Sequence, residues 1–405
     1  MKTFAVSRTP QLWFGAGEAA RLGVRAAAVG ASRVVVVVSQ SAVNAPNVRE
    51  GLERSLTDSG VQATYARRDV LPGDLDPFDP APGTYAEASP EVVDAIVTAC
   101  PRPDAVIAIG GGSALDTGKA LSAAYVEGCP IADCLEGVGT RQPSGRKLPF
   151  LAVPTTAGTG SEATANAVLS RSGPDGFKKS LRHPALVPDV ALIDPLLHLG
   201  CPRVQTAASG LDAITQLVEA YISTAASPLT DALALDGLAA AGRSYPAAVD
   251  RGATDVHARS GMAYAAYLSG ICLANAGLGT VHGLAGPAGA MSRVPHGVFC
   301  GTLLPHLVEA TAEGCTRDRD AAGTLDKLAA AARALCGSSA GTRDDQIRAL
   351  VNRLTEFLRI AGLPGLSSYG IDAERARAIA EAADNKRNPY AFTAEQRLAL
   401  MLRAL

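Results

Sequence analysis

The sequence predicts an N-terminal α/β domain built on a parallel sheet, followed by a C-terminal domain made only of helices. In the first half, short apolar runs alternate with helical patterns, which is the order that βαβ units produce. After about Asp194 the strand pattern stops, and alanine-rich segments with leucine at three- and four-residue spacing follow. A chain of 405 residues is also too long for one small core. We therefore expect one domain over residues 1–195 and a second over residues 196–405.

Four apolar runs of the first half are predicted to be buried strands of this sheet. They are short and bounded by glycine, proline or polar residues, and they comprise Val34–Val38, Ala105–Ile109, Phe150–Val153 and Val190–Ile193. The acidic, proline-rich segment from Val70 to Gly83 is predicted to be a loop, because proline cannot sustain the hydrogen-bond ladder of a helix or a sheet.

The clearest helical spacing of the second half lies in two segments, Asp212–Ile222 and Leu325–Leu335. Ser209 and Gly210 directly precede the first of them and are interpreted as its capping signal.

Composition and charge exclude several classes of partner. The net charge is −2, aromatic residues make up 4% of the chain, and no dense lysine or arginine tract occurs, so neither nucleic acid nor a membrane surface is an expected partner. The eight cysteines are scattered without a C-x-x-C pair, which is typical of a reduced compartment. The N-terminus lacks an apolar signal segment, and the longest valine run is too short to span a bilayer. We expect a cytoplasmic protein.

A glycine-rich turn, Gly110-Gly-Gly-Ser113, follows the predicted strand Ala105–Ile109 and opens a helix. The glycines let a ligand approach the backbone, and the helix N-terminus offers unpaired N–H groups, which suits a pyrophosphate. A tight turn without a ligand explains the same residues equally well, because the pattern differs from G-x-G-x-x-G.

A second loop rich in threonine and glycine, residues 154–162, follows the next predicted strand. Two such loops at the carboxyl ends of neighbouring strands are where open α/β sheets bind nucleotides, so a nucleotide site is predicted there. The strand Val34–Val38 is followed by Ser39, where an acidic side chain would bind the adenosine ribose and repel a 2′-phosphate. The neutral serine favours NADP over NAD, although it is also compatible with a turn that has no cofactor preference.

One aspartate and two histidines of the second half are candidates for a single metal site. Asp212 lies on a predicted helix, and His282 and His296 are each followed by a glycine, which is interpreted as freeing the backbone to aim the imidazoles. Each histidine alone is more often an ordinary residue, but the three together indicate a divalent ion. Gln216 follows Asp212 by one helical turn, so it shares that face. Cys300 has no matching partner and is interpreted as a small buried residue.

Taken together, these motifs resemble those of the iron-containing (group III) alcohol dehydrogenases over essentially the full length of the chain. The shared motifs include Gly110-Gly-Gly-Ser113, Pro154-Thr-Thr-Ala-Gly-Thr-Gly-Ser-Glu162, Gly210-Leu-Asp212-Ala, Val281-His282-Gly and Pro295-His296-Gly. The resemblance implies a Rossmann-like nucleotide-binding domain followed by an all-helical metal-binding domain.

The resemblance also implies which residues hold the nicotinamide cofactor. Ser39 occupies the usual acidic position, and Lys178 matches a lysine near the ribose. The residues that would hold the pyrophosphate and the nicotinamide side of the cofactor are Gly111, Gly112, Ser113 and Asp116. Those that would line the same cofactor are Thr155, Thr156, Thr159 and Asn166.

For the metal, the resemblance implies Asp212, His282 and His296 as three of the family's four ligands, and two positions depart from the pattern. The fourth ligand is usually a histidine but is Gln216 here, and a neutral amide oxygen is a poorer donor than imidazole for Fe²⁺ or Zn²⁺. A further histidine usually follows His282 by one helical turn, near the nicotinamide, and is Gly286 here. Three good ligands and one open position still form an ordinary catalytic zinc set, so we expect one divalent metal, iron or zinc.

The predicted activity is an NAD(P)-dependent hydride transfer between nicotinamide and a small or short-chain alcohol or aldehyde held by the metal. A homo-oligomer, a dimer or larger, is expected from the resemblance. One alternative is oxidation of a β-hydroxy acid with decarboxylation, possibly on a natural product or a peptide C-terminus. Another is a non-catalytic nucleotide-binding relative with a degenerate metal site. A third alternative is a phosphate-eliminating synthase. It would need a basic cluster near the metal to bind the substrate phosphate, and Arg182 and Arg293 are the candidates by sequence.

Overall fold

The computed structural model describes residues 3–39, 46–66, 88–171, 176–317, 322–338 and 340–405. The described residues form two compact units, and the main boundary between them lies between Cys201 and Pro202. The short segment Ala157–Gly160 belongs to the C-terminal unit, although it follows a strand of the N-terminal one. The domain assignment 1–195 and 196–405 stays a prediction.

The N-terminal unit contains the strands β1 to β8, which are Gln11–Phe14, Arg33–Val38, Gln62–Ala66, Ala105–Gly110, Phe150–Pro154, Asn166–Arg171, Phe177–Arg182 and Val190–Ile193. Six of them form one sheet in the order β1-β8-β5-β4-β2-β3, and all neighbours in it are parallel. Strands β6 and β7 form a separate antiparallel hairpin. The predicted parallel sheet and its four predicted strands are confirmed.

The helices of this unit are α1 to α4, which are Leu22–Ala28, Pro46–Asp58, Pro90–Ala99 and Gly112–Glu127. Strand β4 is buried at every position, as expected for a central strand covered on both faces. Helix α4 packs closely on the sheet, because a Cβ on Gly118 would lie 2.6 Å from Ala108 Cβ and 2.8 Å from Phe150 Cε2. The apolar residues of the sheet and its helices form the core of the unit.

The C-terminal unit consists of helices joined by turns and loops, and no strand occurs among its described residues. Its helices α5 to α13 are Arg203–Ile222, Pro228–Arg251, Val256–Ala276, Thr280–Met291, His296–Arg317, Ala322–Cys336, Arg343–Ala361, Ala373–Ala382 and Ala394–Arg403. The two predicted helical segments fall on α5 and α10. The prediction of an all-helical second half is confirmed.

The interpretation of Ser209 and Gly210 as a capping signal is wrong. Helix α5 begins at Arg203, so both residues lie in its interior. A Cβ on Gly210 would lie 2.7 Å from the ring of Tyr245, so this glycine makes room for an aromatic side chain of α6 rather than starting a helix.

The predicted loop from Val70 to Gly83 lies outside the described residues, as do Gln40 and Ser41. Within the described ranges, no single helix is long and apolar enough to cross a membrane. Helices α7 and α8 meet the combined requirement of length and apolar composition only as a pair, which is bent by 99°.

Candidate active site

Three helices of the C-terminal unit bring together four side chains of the types that can bind a metal ion. Helix α5 supplies Asp212, α8 supplies His282, and α9 supplies His296 and Cys300. One donor atom from each of the four lies within 4.8 Å of the others. The aspartate and the two histidines predicted from the sequence are thus neighbours in space, although up to 84 residues separate them in the chain.

The distances within this cluster are short and similar. Asp212 Oδ1 lies 3.4 Å from His282 Nε2 and 3.5 Å from His296 Nε2. Cys300 Sγ lies 3.8 Å from His282 Nε2 and 3.7 Å from His296 Nε2. Asp212 and Cys300 are buried, whereas the side chain of His296 is 37% exposed, so solvent reaches part of this ring.

The two carboxylate oxygens of Asp212 have different surroundings. Its Oδ2 accepts a hydrogen bond of 3.0 Å from Gln216 Nε2, whereas its buried Oδ1 has no hydrogen-bond partner among the described residues. A buried carboxylate oxygen without a donor is costly, and a cation at the cluster would remove that cost. The residues present therefore fit a divalent metal ion.

Gln216 shares the face of Asp212 on α5, as predicted from their spacing. Its Nε2 donates to Asp212, and its Oε1 accepts a hydrogen bond of 2.9 Å from Ser269 Oγ. The oxygen is the amide atom that could bind a metal, and it is already paired with Ser269. In this arrangement Gln216 positions Asp212, and its role as a fourth ligand stays a prediction.

Glu219 also lies in the site, although the sequence motifs did not predict it there. Glu219 Oε2 lies 2.6 Å from His282 Nδ1, and its Oε1 accepts a hydrogen bond of 2.7 Å from the N–H of Val281. A carboxylate only accepts, so Nδ1 carries a proton, and Nε2, which faces the cluster, is the atom that would bind a metal. The available signal was position, because Glu219 follows Asp212 by seven residues and so lies on the same helix face.

Cys300 was the second omission, since the sequence analysis interpreted it as a small buried residue. It is buried, but its Sγ contacts both imidazoles of the cluster. The signal that could have found it is the four-residue spacing from His296, which places both side chains on one face of α9.

The glycines that follow the two histidines have a different role from the predicted one. A Cβ on Gly283 would lie 2.0 Å from the carbonyl oxygen of Asp384, and a Cβ on Gly297 would lie 2.2 Å from that of Ala208. Both glycines lie within helices, α8 and α9. They permit close packing around the site, and the interpretation that they free the backbone is wrong.

The charges of the cluster shift one another's pKa values. Burial lowers the pKa of His282, but the negative charges of Cys300 and Glu219 outweigh burial and raise this pKa well above its ordinary value. Burial raises the pKa of the Cys300 thiol, but the two imidazoles outweigh it and lower that pKa. The cluster thus favours a thiolate beside positive charge, which a bound cation would also supply.

In the N-terminal unit, several predicted cofactor residues meet at one edge of the sheet. The N–H of Ser39, after β2, donates to the Ile109 carbonyl at 2.9 Å, and the N–H of Thr155, after β5, donates to the Gly110 carbonyl at 2.9 Å. A Cβ on Gly110 would lie 2.7 Å from Ala114 Cβ and 2.9 Å from Ser39 Cβ. Only glycine fits at the end of β4, between the helix and the neighbouring strand.

Helix α4 begins at this same edge. Its N-cap residue Gly111 has no side chain, so it leaves the first-turn N–H groups, including those of Gly112 and Ser113, without a side-chain cap. A Cβ on Gly111 would lie 3.3 Å from Thr156 Oγ1, which places the threonine hydroxyl beside the turn. Uncapped N–H groups and a hydroxyl are suitable donors for a phosphate group.

Asp116 belongs to a network inside the unit. Its carboxylate accepts hydrogen bonds of 2.5 Å from Ser161 Oγ and 2.9 Å from the N–H of Val168. The fully buried Lys119 donates to the Ser161 carbonyl at 2.8 Å and to the Asn166 carbonyl at 2.8 Å. These bonds tie helix α4 to the segment between β5 and β6, and a cofactor contact of the Asp116 side chain stays a prediction.

The remaining predicted cofactor residues lie on separate elements. Thr159 is exposed on the segment Ala157–Gly160, which packs on the C-terminal unit, where a Cβ on Gly160 would lie 2.4 Å from Gly270 Cα. Asn166 begins β6, and Lys178 lies on the paired strand β7. The roles of these three side chains stay predictions.

Two family models match the chain. Residues 78–195 match the model described as iron-containing alcohol dehydrogenase, and residues 206–405 match the C-terminal model of the Fe-containing alcohol dehydrogenase family. Ten residues, 196–205, separate the two matches, which together cover most of the chain.

Individual relatives and solved structures agree with these matches. Long-chain-alcohol dehydrogenase 1 of Geobacillus thermodenitrificans is 38% identical over 66% of this chain and 65% of its own length, slightly less than two thirds. Alcohol dehydrogenase 4 of Saccharomyces cerevisiae is 38% identical over 74% of this chain and 75% of its own. A crystal structure of a 1,3-propanediol oxidoreductase superposes with a TM-score of 0.85 over 100% of both chains, at 27% identity.

Proposed function

The chain belongs to the iron-containing alcohol dehydrogenase family and is an enzyme, and from that premise we propose that it transfers a hydride between NAD(P) and a small or short-chain alcohol or aldehyde. The single observation that carries the proposal is the cluster of Asp212, His282 and His296, with the buried Asp212 Oδ1 directed toward both imidazoles. Retention of this arrangement fits a working metal site better than a degenerate one.

Asp212, His282 and His296 would hold the metal, which when bound polarises the oxygen of the substrate and lowers its pKa. The chain's own contribution is to fix its ligands. Gln216 holds one oxygen of Asp212 and thereby leaves the other for the metal. Glu219 holds the Nδ1 proton of His282 and thereby sets the orientation of that ring.

Proton exchange in the proposed reaction is left to solvent. An added Cβ at Gly286 would have no atom within 4 Å, so the position of the usual histidine is open space. The partly exposed side of His296 gives water a route to the cluster. No side chain at position 286 takes part in the transfer.

For the cofactor, we propose binding at the edge formed by the turn after β4 and the loop after β5. The N–H groups of Gly112 and Ser113 would bind the pyrophosphate, with Thr155 and Thr156 beside it. The neutral Ser39 lies against Gly110 at this edge, which supports NADP over NAD.

The alternative activities gain no support from these observations. Decarboxylation of a β-hydroxy acid and a non-catalytic role both remain unsupported, and Arg182, a candidate for a phosphate site, pairs with Glu136 at 3.0 Å. The proposed substrates are simple alcohols and aldehydes, as the names of the matched relatives suggest. The expected homo-oligomer stays a prediction that the molar mass in solution would test.

The proposal is tested by following NADPH and NADH absorbance with a panel of alcohols and aldehydes. His296→Ala should abolish turnover, because it removes a metal ligand. His306→Ala is the matched control on the same helix α9 and should retain turnover. Turnover that survives His296→Ala, or no turnover of any panel member by the natural protein, would contradict the proposed function.

A further inference from the structure

Cys300 belongs to the cluster but has no part in the function proposed above. We propose that its thiolate is a ligand of the metal, so that the site is an Asp-His-His-Cys set and the bound ion is zinc. This inference rests on the proposed function, because it concerns the same metal.

The geometry of the four donors suits one tetrahedral ion. With bonds of about 2.0–2.1 Å to nitrogen and oxygen and about 2.3 Å to sulfur, tetrahedral ligands lie about 3.3–3.6 Å apart. The two Asp212 Oδ1–imidazole distances are 3.4 and 3.5 Å, and the two Cys300 Sγ–imidazole distances are 3.8 and 3.7 Å. The remaining two donor pairs lie within 4.8 Å of each other, so movements of about an ångström or less would bring the four atoms onto one ion.

The contacts of Gln216 and Cys300 indicate which of the two is the fourth ligand. The amide oxygen of Gln216 is paired with Ser269, and its nitrogen is paired with Asp212. Cys300 Sγ faces both imidazoles and is fully buried. Gln216 therefore supports the site through Asp212, while Cys300 supplies the donor that the amide does not.

The donor set also selects the metal. A thiolate is a soft ligand that favours zinc, and imidazole suits zinc as well as iron. One carboxylate and one thiolate balance the two charges of the ion, so the four-ligand set itself is neutral, with Glu219 outside it behind His282. A tetrahedral ion with four protein ligands would have to expand to five ligands to bind substrate, as catalytic zinc can, and the partly exposed ring of His296 marks the accessible side.

The test replaces the bound ion with Co²⁺, a spectroscopic substitute for zinc, in the full-length protein and in Cys300→Ser. The natural protein should show an intense near-ultraviolet thiolate-to-cobalt band together with the weaker visible d–d bands. Cys300→Ser should keep d–d bands, lose the near-ultraviolet band and bind Zn²⁺ at least about tenfold more weakly. Cys315→Ser is the matched control, because it removes another buried cysteine of helix α9 and should keep both bands.

Two results separate this inference from the proposed function. Visible d–d bands without the near-ultraviolet band in the natural protein would overturn the role of Cys300 and leave the metal-dependent function standing. Absence of any bound ion from the natural protein would overturn the proposed function itself.

A second measurement needs no variant, in case Cys300→Ser does not fold. X-ray absorption of the zinc-loaded protein should show one sulfur at about 2.3 Å among nitrogen and oxygen ligands. Bound zinc should also protect the Cys300 peptide from maleimide labelling, measured by mass spectrometry. A zinc site with only nitrogen and oxygen neighbours would overturn the inference.

Discussion

Glu219 Oε2 lies 2.6 Å from His282 Nδ1, so a fully buried carboxylate orients an imidazole of the candidate metal site. Glu219 also accepts the N–H of Val281 through its other oxygen, which fixes the carboxylate relative to helix α8. The pair places a negative charge behind His282 and leaves Nε2 facing Asp212 and Cys300.

Glu219→Gln should weaken metal binding by about 10–100-fold. The substitution removes a negative charge that orients the His282 imidazole and makes that imidazole more basic. The measurement is competitive Zn²⁺ titration, with kcat measured at saturating metal. Glu309→Gln is the control, since Glu309 forms an exposed ion pair with Arg403 in the same unit. Equal zinc affinity in Glu219→Gln and the natural protein would show that this contact is merely structural.

Substitution by alanine at two glycines of helix α8 should change the stability of the protein to very different extents. A Cβ at Gly283 would lie 2.0 Å from the Asp384 carbonyl oxygen, so Gly283→Ala should destabilise the protein by about 1–3 kcal/mol and weaken metal binding through His282. A Cβ at Gly286 meets nothing within 4 Å, so Gly286→Ala should change stability by less than about 1 kcal/mol. Thermal unfolding of the two variants compares them directly, and equal effects would contradict this account of the packing.

Ser39→Asp should reverse the predicted cofactor preference. A carboxylate at this edge would repel the 2′-phosphate of NADPH and bond the ribose of NADH, so KM for NADPH should rise at least about tenfold relative to KM for NADH. Ser39→Asn has similar size without the charge and is the control. Unchanged discrimination in Ser39→Asp would mean that the adenosine ribose binds elsewhere.

Glu162 should make the stability of the protein depend on pH. Burial raises the pKa of this carboxyl from 4.5 to about 7, with Lys119 opposing the shift. Because the folded state holds the proton more tightly, the stabilising effect is full below pH 4.5 and is lost as the pH rises to 7. The loss is at most about 3 kcal/mol. Glu162→Gln should remove this dependence, so its Tm relative to the natural protein should be higher at pH 8 than at pH 5. The same Tm difference at both pH values would refute the raised pKa.

The four strands predicted from the sequence were visible because a central parallel strand is buried on both faces and reads as an apolar run. Strand β1 is mostly exposed, and the hairpin of β6 and β7 carries lysine, arginine and serine, so neither produces such a run. Strand β3 mixes exposed and buried positions and was missed for the same reason.

Within the candidate site, the sequence predicted the residues whose chemistry is unusual in a helix. Asp212 and the two histidines stood out among apolar neighbours, whereas a buried cysteine is common without any metal. The importance of Cys300 depends on the packing of α5 and α8 against α9, which residue spacing within one helix does not reveal. The hydrogen bonds of Gln216 likewise depend on Ser269, a residue 53 positions later.

The most direct test of the metal-dependent function is removal and return of the metal in the natural protein. Chelation and dialysis should abolish turnover of aldehyde with NADPH, and titration with Zn²⁺ or Fe²⁺ should restore it at about one ion per chain. Full turnover by protein that metal analysis shows to be free of divalent ions would contradict the account.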